Sequence, residues 1–307
     1  MQKQVSAWQK YWMWAKERFP VFGVLLYAGS LFYLSYLFGH MLEANASVQW
    51  LHSLPGLALV FLVLLHLRIF DEHKDYQDDL IAHPERALSK GIITLKDLRL
   101  LLYGVLFLEA LISFFSGGAQ FVIWLIILGW SLLMLVEFFA RDFLKARIGL
   151  YLFTHQLLVP LLLLYGLFLQ LDSFDLSTLQ VSIVVLFLAG GMCGTIVYEI
   201  ARKTWSPDRE HEHAESYTRL WGMGKAVFIN LLIALAALLI FCFLFFWYKV
   251  SLAYFLLLLF FYLVFVFCEL LFYFKPVRKM SKLVEAGGTL FMLGLFITSA
   301  VAFFNIY

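Results

Sequence analysis

The stretch QWLHSLPGLALVFLVLLHLRIFDEHKDYQDD, residues 49–79, is a hydrophobic run long enough to cross a bilayer, and it ends abruptly in acidic residues. Asp71, Asp75 and Asp79 recur at every fourth position, so they share one face if a helix continues through them. Neighbouring carboxylates repel one another and need a counter-charge, which a divalent cation or a basic ligand supplies. The first hypothesis is therefore a metal site at a membrane surface.

The composition of the whole chain is that of an all-α integral membrane protein. Hydrophobic residues make up 63% of the 307 residues and charged residues 14%, against roughly 25% charged residues in soluble domains. A run of about 20 apolar residues spans the hydrocarbon core of a bilayer as a helix. Nine such runs are predicted, at residues 20–41, 49–70, 99–116, 119–140, 148–170, 178–200, 226–248, 250–274 and 283–305.

The positions of the basic residues predict how these spans cross the membrane. All but one of the 23 Lys and Arg residues lie before the first span or in loops on that same side, and only Lys249 lies opposite. Because Lys and Arg accumulate in cytoplasmic loops, we expect a cytoplasmic N-terminus and a C-terminus on the other side. This topology accounts for the basic residues, so the net charge of +2 does not indicate nucleic-acid binding. The sequence indicates no obligate protein partner.

Two long cytoplasmic loops, residues 71–98 and 201–225, are crowded with both signs of charge and are predicted to be functional. Each loop begins with an acid at a helix end and contains a Pro-acid-Arg triplet, at residues 84–86 in the first loop and 207–209 in the second. The second loop also contains alternating His and Glu at residues 210–213, a spacing typical of a solvated loop rather than of a zinc site.

Asp71 and Glu199, the acids that open the two loops, lie four spans apart. This spacing predicts an internal duplication of a four-helix unit. Repeats of this kind commonly place a shared site at the interface between the two halves.

These features resemble the UbiA superfamily of intramembrane prenyltransferases. The resemblance covers nearly the whole chain, although its specificity lies mostly in the two loops. It is carried by the nine spans, Asp71-x-x-x-Asp75, Pro84-x-Arg86, Ser89-Lys90-Gly91, the second acidic loop, the KERFP sequence at residues 16–20, and Lys145-Ala-Arg147 where members carry a Lys-Arg pair.

The resemblance implies a fold and a chemistry. The implied fold is a single transmembrane domain over residues 1–307, a helical bundle around a central cavity, with an interfacial N-terminal segment at residues 1–19. The implied substrates are an isoprenyl diphosphate and a lipophilic or small acceptor, with membrane lipids around the protein. Mg²⁺ is the implied cofactor, because diphosphate departs only when its negative charge is neutralised.

The family's functional residues are carried over onto matching positions. Asp71, Asp75 and Glu199 are the implied metal ligands and catalytic carboxylates. The residues implied to contact the diphosphate or the acceptor are Arg68, Lys74, Arg86, Lys145, Arg147, Arg202, Lys203, Tyr151 and His155.

The sequence departs from the family pattern in both motifs. Leu67 and Arg68 stand where the first motif usually has an Asn-Asp pair, and Arg202 and Lys203 follow Glu199 where a further acid is expected. Basic side chains at these positions can contact phosphate oxygens directly. The number of metal ions stays open at this point.

Other interpretations remain beside prenyl transfer. On the same fold, the reaction could be cyclisation of a terpenyl diphosphate or transfer from another phosphorylated donor. A non-catalytic lipid-binding or transport protein is the alternative of another class, and in that case Asp71 and Asp75 could form a solvated helix end paired with Arg68 and Lys74.

Acidic residues inside the spans form a further prediction. Glu109, Glu269, Glu285 and Glu137 are costly in a bilayer and are expected to face the bundle interior or its cytoplasmic rim. Glu137 lies one turn before Arg141 and is predicted to pair with it.

Overall fold

The structure is a computed structural model that describes residues 6–43, 48–171, 177–210 and 216–306; within these ranges all regular structure is helical. Residues 211–213 of the predicted solvated His-Glu segment lie outside the described ranges. Its first residue, Glu210, is described and accepts hydrogen bonds from Ser216 and Thr218. The helices are α1 (Ala7–Arg18), α2 (Val21–Leu42), α3 (Trp50–Lys74), α4 (Tyr76–Ala82), α5 (Leu95–Ser116), α6 (Gly118–Leu135), α7 (Arg141–Lys145), α8 (Ile148–Gln156), α9 (Leu158–Gln170), α10 (Thr178–Arg202), α11 (Tyr217–Trp221), α12 (Met223–Trp247), α13 (Leu252–Phe274) and α14 (Arg278–Phe304).

Nine segments among the described residues are long and apolar enough to cross a membrane, which confirms the predicted all-α fold with nine spans. They are α2, α3, α5, α6, the pair α8 and α9 taken together, α10, α12, α13 and α14. The pair α8 and α9 is interrupted at Leu157. Pro160 lies in the first turn of α9 and has no N–H to bond to the preceding helix, which explains the interruption.

The chain divides into two compact units. Unit 1 comprises Met1–Phe32 and Gln49–Asp142, and unit 2 comprises Tyr33–Val48 and Phe143–Tyr307. The predicted single domain over residues 1–307 stays a prediction.

In unit 1, α5 packs against both α3 and α6, and a buried polar group joins all three helices. The Glu109 carboxylate of α5 lies 2.7 Å from Nδ1 of His66 on α3 and accepts a 3.0 Å hydrogen bond from Nε1 of Trp124 on α6. Glu109 and His66 are fully buried. Because a charged group in a bilayer needs such partners, this contact specifies how the three helices pack.

Helix α1 is docked onto unit 1 by one buried aromatic residue and by ion pairs. A capping box of Ser6 and Gln9 begins the helix, and Trp14 packs with Phe70 and Leu98 in the core of the unit. The Nζ of Lys10 lies 2.6 Å from the Asp97 carboxylate at the start of α5. The predicted interfacial segment is therefore, from Ser6 onward, a helix bound to the first loop.

The predicted span at residues 119–140 ends earlier, because the backbone adopts left-handed torsion angles after α6. Glu137, Phe138 and Phe139 have φ values of 48°, 53° and 56°, and each left-handed residue costs roughly 1–2 kcal/mol. The turn buries the Glu137 carboxylate, which lies within 3.8 Å of Lys74 Nζ and 3.5 Å of Arg141 Nε. These ion pairs offset part of the backbone strain, and the predicted Glu137–Arg141 pair is confirmed.

In unit 2, α10 packs against α12 and α14, and α13 packs along α14. Helix α14 approaches α10 closely at Gly288, where an added Cβ would collide with the Cβ of Ala201 and lie 3.6 Å from Phe265 of α13. Glu269 of α13 is buried and accepts a 2.7 Å hydrogen bond from Asn230 of α12. Glycine at position 288 thus allows α14 to approach the last turns of α10, where Glu199 lies.

We predict that Gly288→Leu destabilises the protein, because α14 would have to move away from Ala201. Overpacking of this kind costs about 1–3 kcal/mol, and thermal unfolding in detergent measures it. Gly104→Ala is the control, since Gly104 lies in α5 with no neighbouring atom within 4 Å of an added Cβ. An equal melting temperature for Gly288→Leu and wild type would contradict the close approach.

Candidate functional site

The carboxylates of the first motif lie at the end of α3 in unit 1. Asp71, in the last turn, is 47% exposed, and its two oxygens lie 3.8 Å from Arg68 Nη1 and 3.7 Å from Lys74 Nζ. Asp75 is the single residue between α3 and α4. Its backbone N–H donates to the carbonyl oxygen of Asp71 over 2.9 Å. The two aspartates therefore lie at the point where the spanning helix ends, with basic side chains beside Asp71.

The helix does not continue from Asp71 to Asp79, so the three aspartates do not line one helical face. Asp79 belongs to α4 and accepts hydrogen bonds from Arg86 Nη1 over 2.6 Å and from Arg18 Nη2 over 3.3 Å. It is a partner of arginines. Arg86, carried over as a diphosphate ligand, is placed beside Asp79.

Glu72 is a buried carboxylate next to Asp71, and the sequence interpretation assigned it no role. Only 1% of its side chain is exposed. Its Oε1 accepts from Arg18 Nε over 2.6 Å and from Arg68 Nη2 over 2.8 Å. The spacing of Arg68 and Glu72, four residues apart in a helix, was a signal for this pair. Arg18 belongs to a helix far from Glu72 along the chain, so no spacing in the sequence indicated this second pair.

A second line of charges continues away from Asp71. Lys74 is 12% exposed and lies 3.8 Å from the Glu137 carboxylate. Glu137 in turn pairs with Arg141, whose Nη2 donates to Asp78 over 3.4 Å. The last turn of α3 is thus surrounded by alternating acids and bases, of which Asp71 and Asp78 are the exposed carboxylates.

The Pro-acid-Arg triplets of the two loops share a structural role for their arginine. Arg86 of the first triplet contacts Asp79, and Arg209 of the second lies 3.4 Å from the Glu285 carboxylate of α14 and donates to Ser281. In the first triplet the exposed Glu85 accepts from its own backbone N–H, which holds the pKa of that carboxyl below its usual range. The repeated sequence therefore brings a repeated arginine–carboxylate pair.

The second motif lies at the end of α10 in unit 2. Both oxygens of Glu199 accept from Arg202 Nη2, over 2.8 and 2.7 Å, and Lys203 Nζ lies 3.4 Å from Glu199 Oε1. Arg202 is 44% exposed and Glu199 is 18% exposed. The cluster has one more positive than negative charge, and its exposed member is a guanidinium suited to an anionic ligand.

The remaining carried-over residues surround the junction of α7 and α8 in unit 2. A cavity of about 340 Å³ is lined by Lys145, Arg147, Gly149 and Trp221, among others. The guanidinium of Arg147 lies 4.0 Å from the ring of Phe143. Further along α8, the rings of Tyr151 and His155 stack with centroids 3.9 Å apart, and His155 Nδ1 lies 2.8 Å from the Tyr151 carbonyl oxygen.

The donor set for Mg²⁺ differs between the two motifs. Among the residues that the structure describes, no three His, Cys, Asp or Glu side chains lie together as a metal cage. Mg²⁺ is commonly held by one or two carboxylates together with substrate phosphates and water, and Asp71 with Asp75 fits that pattern. Glu199 fits it less well, because Arg202 and Lys203 already contact its oxygens.

Two solved structures share this architecture. One is described as digeranylgeranylglyceryl phosphate synthase in membranes; it is 17% identical, with a TM-score of 0.63 over 94% of this chain and 99% of that one. The other is the apo structure of a UbiA homologue from Aeropyrum pernix K1; it is 14% identical, with a TM-score of 0.65 over 88% of this chain and 97% of that one. No protein-family profile matches the sequence, and no curated protein matches it.

The chain is therefore an integral membrane protein with the UbiA fold. The predicted likeness to UbiA proteins is confirmed at the level of the fold.

We predict that Glu72→Ala destabilises the protein by on the order of 2 kcal/mol, because it leaves Arg18 and Arg68 without their shared carboxylate in a buried position. Thermal unfolding in detergent at constant pH measures the loss. Asp78→Ala removes an exposed carboxylate from the same segment and should change stability by less than about 0.5 kcal/mol. Equal effects of the two substitutions would show that Glu72 is not a buried ion-pair partner.

Proposed function

We propose that this chain is a prenyltransferase of the UbiA superfamily, which transfers an isoprenyl group from an isoprenyl diphosphate to a lipophilic or small acceptor. The observation that carries the proposal is the UbiA fold with Asp71 and Asp75 at the end of a spanning helix, beside Arg68 and Lys74. The distribution of Lys and Arg supports a cytoplasmic position for both loops and for the N-terminus, with the C-terminus on the opposite side.

In this proposal Asp71 and Asp75 hold Mg²⁺ through their carboxylates. The bound metal ion would supply neutralisation of the diphosphate charge. Arg68 and Lys74 orient Asp71, because each lies within 3.8 Å of one of its oxygens. The carbon–oxygen bond breaks with both electrons leaving on the diphosphate, and the acceptor then bonds to the allylic carbon and releases a proton.

The basic side chains of unit 2 contribute charge without a metal. Arg202 and Lys203 are held in place by Glu199, so their N–H groups are pre-organised to donate to phosphate oxygens. Lys145 and Arg147 add positive charge beside the cavity at the start of α8. We propose Glu199 primarily as the residue that orients this basic pair.

We expect Asp71→Asn to lower the rate of isoprenyl transfer by about a hundredfold or more, because the metal loses an anionic ligand. The assay uses a labelled isoprenyl diphosphate and purified protein, with thermal unfolding as a check of folding. Asp78→Asn is the matched control, an exposed carboxylate of the same segment. Full activity of Asp71→Asn would refute the proposed role.

We expect Arg202→Ala to weaken binding of inorganic diphosphate by about tenfold whether or not Mg²⁺ is present, because it removes a charge-assisted hydrogen bond. Asp71→Asn should weaken binding only when Mg²⁺ is present. Lys225→Ala, which changes an exposed basic residue in the first turn of α12, serves as control. Calorimetric titration at fixed ionic strength measures each affinity, and an Arg202→Ala effect confined to the Mg²⁺ titration would contradict a direct phosphate contact.

A second candidate is a non-catalytic lipid-binding or transport protein, and the specific observation in its favour is Arg68 in place of an acid of the first motif. An enzyme should be stabilised against unfolding by diphosphate in a Mg²⁺-dependent manner, whereas a protein without this chemistry should not. Product analysis without an added acceptor separates transfer from terpenyl cyclisation, since only a cyclase forms product alone.

A further inference from the structure

We propose that Arg18 of α1 is a positioning residue for Asp71 and Asp75, because it clamps together the two helices that meet at Asp75. The inference rests on the proposed function of these two aspartates. The clamp itself is a geometric feature of the protein, and it can be measured without any assay of activity.

The junction between α3 and α4 is a single residue. Helix α3 ends at Lys74, α4 begins at Tyr76, and Asp75 between them has φ −97° and ψ 8°. A peptide unit is planar, so the angle between the two helices depends on very few soft torsions around this residue. The backbone N–H of Asp75 is bonded to the Asp71 carbonyl oxygen and its carbonyl oxygen accepts from Asp79. A tilt of α4 that changes φ of Asp75 would therefore turn the Asp75 carboxylate relative to Asp71.

Arg18 constrains that tilt through both sides of its guanidinium group. Its Nε donates to Glu72 Oε1 over 2.6 Å, in the last turn of α3. Its Nη2 donates to Asp79 Oδ2 over 3.3 Å, in the first turn of α4. Because the guanidinium is planar and rigid, the positions of Glu72 and Asp79 are coupled through one flat group.

Each clamped carboxylate has a second arginine. Arg68 donates to Glu72 over 2.8 Å from within α3, and Arg86 donates to Asp79 over 2.6 Å from the loop that follows α4. The Arg68–Glu72 pair lies within α3, and the Arg86–Asp79 pair does not involve α3. Of the three arginines, Arg18 is the one whose hydrogen bonds extend from α3 to α4.

The base of the clamp is itself fixed. Trp14, one turn before Arg18, is 1% exposed. Near the start of α1, Lys10 pairs with Asp97. Next to Arg18, Glu17 accepts a 2.8 Å hydrogen bond from the backbone N–H of Ala87. Arg18 therefore extends from a docked helix rather than from a loose terminal segment.

The consequence concerns metal affinity. Mg²⁺ requires near-octahedral ligands at about 2.0–2.1 Å, so two carboxylates that bind one ion must be held within a fraction of an ångström. Loss of a group that orients metal ligands lowers metal affinity or activity by about 10–100-fold. Arg18 would thus act on the metal-binding aspartates through Glu72 and Asp79, without touching substrate.

The test compares Arg18→Ala with three variants. Lys16→Ala removes the same charge from an exposed position of α1 and should behave as wild type. Arg18→Lys keeps the charge but replaces the fork with a single ammonium, so it should not restore the clamp. Asp79→Asn weakens the α4 side only and leaves Glu72 paired, which keeps the test available if Arg18→Ala fails to fold.

The first measurement is a distance distribution between spin labels at residues 81 and 100, which are exposed in α4 and α5 of unit 1. Labels are attached after the three native cysteines, Cys193, Cys242 and Cys268, are replaced by alanine. The second measurement is the Mg²⁺ concentration that gives half of the thermal stabilisation by inorganic diphosphate.

Arg18→Ala and Asp79→Asn are expected to broaden the distance distribution and to raise the required Mg²⁺ concentration by about tenfold. A distribution as narrow as that of wild type in both variants would overturn the clamp. A broadened distribution with an unchanged Mg²⁺ requirement would overturn the positioning role. If diphosphate does not stabilise the wild type at all, the proposed function fails, while the distance distribution still decides the clamp.

Discussion

The burial of the Glu72 carboxylate at the end of a membrane-spanning helix is the constraint on which the first motif depends. An ionised carboxylate with 1% of its side chain exposed must be paired, because desolvation of an unpaired charge costs several kcal/mol. Arg68 supplies one partner from the same helix, and Arg18 supplies the other from α1. The pair of Arg18 with Glu72 therefore adds to the contacts of Trp14 and Lys10 by which α1 is docked.

The same principle organises the charges around Glu137. The left-handed turn after α6 buries this carboxylate, and Lys74 and Arg141 compensate its charge. Lys74 lies close to both Glu137 and Asp71, so the turn after α6 and the exposed aspartate share one ion-pair partner. Arg68 lies 2.8 Å from the buried Glu72 and 3.8 Å from Asp71, and 47% of the Asp71 side chain stays open to a ligand.

In the second motif, which lies in unit 2, the more exposed side chain is a base rather than an acid. Glu199 is mostly buried and Arg202 is more exposed, so the end of α10 presents a guanidinium held by a carboxylate. The first motif presents a carboxylate beside basic residues. A phosphorylated ligand can be recognised through a metal ion held by acids or directly by a guanidinium fork. In the proposed function, the first loop would use the metal ion and the second the guanidinium.

The sequence by itself determined the membrane class, the nine spans and the positions of the two charged loops. The length of an apolar run and the density of charge in a loop are properties of consecutive residues, so they can be read without the tertiary structure. The pair of Glu137 with Arg141 followed from their short separation along the chain, although the segment between them is not an α-helix. The break of the helix at Asp75, the pairing of Asp79 with Arg86, and the role of Arg18 were decided only by the tertiary structure. The Arg18 contacts join segments far apart in sequence, and burial, which no single-residue pattern encodes, selects which acids must be paired.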